Sequence, residues 1–92
     1  MTAKNHLDNN KKLLLIRKGN ELFNKGNIDL AAKIFLTTNY KDGLIRIGDY
    51  YLFKKRDVAK ALKFYKLSGY KKREELLLHN IAELLKVWLK EK

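Results

Sequence analysis

The sequence contains no cysteine and no proline, and of the larger special residues it has one methionine and one tryptophan in 92 positions. Without cysteine, neither a disulfide framework nor a thiolate metal site can hold the fold, so core packing must do so. Without proline, nothing interrupts a helix from within. Long apolar runs are also missing. The longest is Leu13-Leu14-Leu15-Ile16, far short of the ~20 residues a membrane span needs, and the N-terminal stretch MTAKNHLDNNKK is polar. These absences predict a soluble, cytoplasmic protein. Acid is scarce too: 10 Asp and Glu stand against 21 Lys and Arg, for a formal charge of +11.

What is present is 46% hydrophobic residues, enough for one compact domain of this length. A charge of +11 points toward a polyanionic partner such as nucleic acid or an anionic membrane surface. A compositional reading competes with it. Lysine outnumbers arginine seventeen to four, and Asn, Ile and Leu are abundant, as in proteins of AT-rich genomes. Sequence-specific nucleic-acid contacts favour the arginine fork, which is rare here.

Apolar residues recur at spacings of three and four rather than alternating, so helices are expected throughout. The pattern predicts an all-α fold of about five antiparallel helices. The first spans about Asn10–Lys25, with Leu15, Gly19, Leu22 and Phe23 on one face and Gly26 as stop signal. The second is capped by Asn27 or Asp29 and runs to Thr38 with Ala31, Ile34, Phe35 and Thr38 inward. The third, capped by Asp42, turns Leu44, Ile47, Gly48, Tyr51 and Leu52 inward and ends in Lys54-Lys55-Arg56. Asp57 opens the fourth, with Val58, Ala61, Leu62 and Tyr65 inward and Ser68-Gly69 at its close. The fifth runs from about Lys71 to Lys90 with Leu77, Leu78, Ile81, Ala82, Leu85, Trp88 and Leu89 as its apolar stripe. Loops this short fold successive helices back as hairpins.

An internal repeat organises the helices. Residues 31–41, AAKIFLTTNYK, align without gaps on residues 61–71, ALKFYKLSGYK, and Gly19 and Gly48 fall at matching places in the helices before them. Glycine inside a helix costs up to ~1 kcal/mol, so two at matching places imply close approach of a partner helix.

These residues resemble a tetratricopeptide (TPR) repeat. Its helix pair carries a Leu, a small residue four later and an aromatic or Leu three further on, then Ala and an aromatic in the second helix. Leu15, Gly19, Leu22, Ala31 and Phe35 fit the first pair, and Leu44, Gly48, Tyr51, Ala61 and Tyr65 the second. The period is 30 rather than the usual 34, the second turn reads one residue longer than the first, and the closing proline is missing. The stretch YKDGLIRIGDYY further resembles small TPR-like proteins of spirochaetes, some associated with motility, which implies a bacterial protein. The resemblance covers about Leu13 to Gly69, and the long last helix looks like the capping helix of such a stack; with the polar composition of residues 1–9 this predicts a flexible N-terminus over 1–9 and a single TPR-like domain over 10–92.

A TPR-like fold implies a non-enzymatic interaction module that binds a peptide or helix of another protein in a groove lined by the first helix of each pair. By register that groove comprises Arg17, Asn20, Phe23 and Asn24, then Arg46, Asp49, Leu52 and Phe53, with Ile16 and Ile45 alongside. Core or plain solvated surface remains the alternative for these positions. Catalysis has little footing, with only His6 and His79, no cysteine and no convincing acidic pair. No cofactor or metal is expected, because no phosphate-binding glycine loop or metal-ligand spacing occurs.

The rival reading is RNA or DNA binding. From Lys54 to Arg73 nine basic residues, Lys54, Lys55, Arg56, Lys60, Lys63, Lys66, Lys71, Lys72 and Arg73, face the single acid Asp57. A solvated helix face explains them equally. Tyr40, Tyr50, Phe53, Tyr70 and Trp88 are able to stack on bases, although the repeat places Tyr40 and Tyr70 at equivalent ends of pairs, which argues for packing. Self-association through the last helix is a further expectation, since short solenoids usually need ~3 repeats.

Overall fold

The computed structural model describes the backbone of residues 9–90 and the side chains within that range except those at 76, 80–85, 87 and 88. The fold is all-α, with no strand among the described residues. The helices are α1 (Asn9–Asn24), α2 (Ile28–Thr38), α3 (Lys41–Asp49), α4 (Val58–Ser68) and α5 (Lys71–Lys90), and α3 runs on into a π-helical turn, Tyr50–Lys54. The expected flexible segment lies almost wholly outside the described residues, as do the side chains of Ile81, Ala82, Leu85 and Trp88. The chain divides into two compact units, Met1–Gly43 and Leu44–Lys92.

In the first unit α1 and α2 form a hairpin. The glycine of α1 makes the close packing possible: a Cβ added at Gly19 would stand 2.6 Å from Cε1 of Phe35. Phe35 is fully buried and, with Ile28, Ala31 and Ala32, forms the apolar interior of this unit. The tight turn between the helices needs a left-handed residue, supplied by Gly26 at φ 90°. The amide of Asn27 donates to the carbonyl of Leu22 at 2.9 Å, closing a Schellman-type end.

The second unit repeats this plan. A Cβ on Gly48 would lie 2.5 Å from Cε1 of Tyr65, which fills the place that Phe35 fills in the first unit. Leu52, Ala61, Tyr65 and Leu77 make its core, with Ile45, Tyr51, Val58 and Leu62 packed around them. α4 starts where the Asp57 carboxylate accepts the amide of Lys60 at 3.1 Å. The ends of α2 and α4 are alike as well. Asn39 and Gly69 are both left-handed, and the amides of Tyr40 and Tyr70 reach back to the carbonyls of Phe35 and Tyr65. Thr38 and Ser68, also equivalent, are buried and turn their hydroxyls onto carbonyls of the preceding turn.

Three local expectations are corrected. Asp42 sits in the first turn of α3, which begins at Lys41, instead of capping it. Asn27 precedes α2 but makes no side-chain cap; its carbonyl accepts the amide of Ala31. The extra residue of the second repeat does not lengthen the turn. Lys25-Gly26-Asn27 and Lys55-Arg56-Asp57 are turns of equal length, and the insertion is absorbed upstream by the π-helical turn, where the amide of Lys55 reaches the carbonyl of Tyr50. Widening one turn lets Gly48 and Ala61 keep their faces although one more residue separates them than separates Gly19 from Ala31.

Candidate interaction surface

The residues expected to line a groove divide between the two units. On α1, Arg17 and Asn24 are exposed, whereas Asn20 and Phe23 are half-buried. In the second unit, Arg46 is exposed at the end of α3. Two of its groove positions are committed elsewhere. Leu52 is only 3% exposed, because it stands four residues after Gly48 on the same stripe and enters the core beside Tyr65 and Leu77. Asp49 accepts a hydrogen bond from the Tyr65 hydroxyl at 2.5 Å and another from Nη1 of Arg73 at 2.7 Å. Asp49 is thus paired within the unit while its side chain stays about a third exposed, and Leu52 is buried.

The same network removes Arg73 from the basic surface. Its guanidinium lies 5.5 Å from the ring centroids of both Tyr65 and Tyr70, so it is stacked as well as paired. Burial pushes the Tyr65 phenol well above its ordinary range, and the Asp49 carboxylate adds to this by accepting the proton's hydrogen bond; the Arg73 charge opposes in part. For Arg73 itself burial acts downward, but the Asp49 charge together with the interactions with Tyr65 and Tyr70 outweighs it, and the net shift is upward.

Other members of the basic segment are also engaged. The Lys60 ammonium sits 5.0 Å from the centroid of the Tyr51 ring and that of Lys63 sits 5.9 Å from Phe64, while Lys66 pairs with Glu74 at 3.7 Å. The lysine face of α4 therefore shields aromatic rings through its aliphatic stems and charged heads. Lys54, Lys55, Arg56, Lys71 and Lys72 remain exposed at the ends of the helices. Tyr40 packs against Phe35 at 5.6 Å between centroids, and Tyr50 stands edge-on to Tyr51. His79 is exposed.

Phe53 is the most exposed of the described aromatics. It is 57% exposed, on the π-helical turn between buried Leu52 and the basic run Lys54-Lys55-Arg56. The backbone around it is unusual twice over. Besides the π turn, Arg56 holds a left-handed φ of 56°, a conformation that costs a non-glycine residue about 1–2 kcal/mol. Gly26 occupies the equivalent position of the first unit at no such cost. Local strain of this kind concentrates where a side chain is aimed for use. Sequence reading located Phe53 but missed the turn that presents it. The usable signal was the spacing of Gly48 to Ala61, one residue longer than that of Gly19 to Ala31.

No family model matches the chain, and no solved structure matches it. A protein of Treponema pallidum (strain Nichols), described as an uncharacterized protein, is 42% identical over 84 residues, covering 91% of this chain and 76% of that protein. The chain belongs to that protein's family. Among the described residues no helix is long and apolar enough to cross a membrane.

Proposed function

We propose that this chain is a non-catalytic, cytoplasmic protein-interaction module of TPR-like helix pairs, which binds a peptide or helix of another protein. The observation that carries this reading is Phe53, a large apolar side chain 57% exposed on a π-helical turn, directly before an exposed basic run. Rigid aromatic anchors of this kind dominate the binding energy of protein interfaces. The equivalent pairs Gly19–Phe35 and Gly48–Tyr65 support a repeat architecture, and repeats of this type typically work as binding scaffolds. On this reading the partner contact is centred on Phe53, since Leu52 beside it is buried in the core.

Affinity capture from the cell that makes the protein, with and without nuclease, tests the reading when wild type and Phe53→Ala are compared. A protein partner that survives nuclease and is lost in Phe53→Ala, with circular dichroism unchanged, is the expected result. A partner released by nuclease transfers the function to RNA or DNA binding through the basic segment, and capture indifferent to Phe53 removes the proposed surface.

A further inference from the structure

The chemistry around Phe53 defines the kind of segment it receives, and this inference rests on the interaction surface proposed above. The ring is followed directly by Lys54, Lys55 and Arg56, all exposed, and preceded on α3 by exposed Arg46. Among the described residues no ion pair reaches Lys54 or Lys55. The acids nearest in sequence are both engaged within the unit. Asp49 is held by Tyr65 and Arg73, and Asp57 accepts the amide of Lys60 at the start of α4.

We infer that Phe53 and Lys54-Lys55-Arg56 form a docking site for an acidic segment of another protein, one carrying a large apolar residue flanked by Asp or Glu. The apolar residue covers the Phe53 ring, and the carboxylates meet the heads of Lys54 and Lys55. A second copy of this chain is a poor occupant, since it brings a net charge of +11 to a basic surface. A phosphate backbone fits less well than a peptide, because along α4 the cations that would extend the track have neighbours of their own: Lys60 and Lys63 near rings, Lys66 near Glu74. The exposed run that directly follows the Phe53 ring is short, a shape suited to a peptide anchor.

The test pans a random 12-residue peptide display library on the full chain, then measures one recovered peptide in solution by fluorescence anisotropy. Recovered sequences are expected to combine Asp or Glu with a large apolar residue. Affinity is expected to fall at least tenfold in Phe53→Ala and in the double variant Lys54→Glu/Lys55→Glu, and to weaken as salt is raised. Leu30→Ala, on the exposed side of α2, is the control expected to bind as wild type. Peptides without acidic residues that still depend on Phe53 overturn the acidic partner but leave the surface standing. Peptides indifferent to Phe53 overturn both, and so does a library that yields no binder. A 20-nucleotide single-stranded RNA that binds as tightly and is lost in the same variants overturns the protein partner in favour of nucleic acid.

Discussion

Phe35 and Tyr65 occupy equivalent buried positions, and each presses against a helical glycine, so the glycines act through the room they leave. Gly48→Ala would place a methyl 2.5 Å from the Tyr65 ring. The gain in helix propensity, up to ~1 kcal/mol, is smaller than the overpacking cost of about 1–3 kcal/mol, so the variant is expected to unfold at lower temperature or urea concentration than wild type. The two positions differ by one hydroxyl. That of Tyr65 donates to Asp49, and its removal in Tyr65→Phe is expected to cost about 1 kcal/mol, since Asp49 keeps its bond from Arg73. The same hydroxyl gives stability a pH dependence whose sign follows from the raised phenol pKa. Below pH ~10 folded and unfolded chains both hold the proton, and the full contribution is present. Above it the unfolded chain releases the proton while the folded one retains it, so stability falls with rising pH toward the folded value. Denaturant midpoints measured from pH 8 to 11 should decline more steeply above pH 10 for wild type than for Tyr65→Phe.

Among the elements, α3 and its π-helical turn carry most of what distinguishes the second unit from the first. The insertion requires a wider turn, and the connection to α4 then closes with Arg56 left-handed where the first unit has Gly26. Relief of that strain is testable. Arg56→Gly is expected to raise the midpoint of thermal unfolding, by up to about 1 kcal/mol of stability after the entropy of glycine is offset. A drop in the midpoint would mean that the arginine side chain contributes more than its backbone costs. The basic run also belongs to this scale. Cations at the end of a helix suit its negative pole, which explains why Lys54 and Lys55 are tolerated there, and the inward pairing of Asp49 leaves their field facing outward.

For the whole molecule the charge of +11 matters most, and it opposes compaction in each unit alike. Raising ionic strength from ~0.02 M to ~0.2 M shortens the screening length to under ~10 Å and is expected to raise the unfolding midpoint, the reverse of what a fold dependent on its ion pairs would show. A constant or falling midpoint would show that Asp49–Arg73 and Lys66–Glu74 outweigh the general repulsion. By itself the sequence determined the helix order, the turns at Gly26 and Gly69, the cap at Asp57 and the repeat that pairs Ala31 with Ala61, because periodicity and capping are local properties of neighbouring residues. Tertiary structure alone decided which polar groups remain available. Asp49, Lys60, Lys66 and Arg73 look like surface charges along the chain, yet folding brings each beside a carboxylate, a ring or a cation from elsewhere in the chain. It also decided that one inserted residue would be absorbed as a π-helical turn. Only the need to keep both Gly48 and Ala61 on their packed faces selects that solution over a longer loop, and a requirement shared by two helices is not visible in either one.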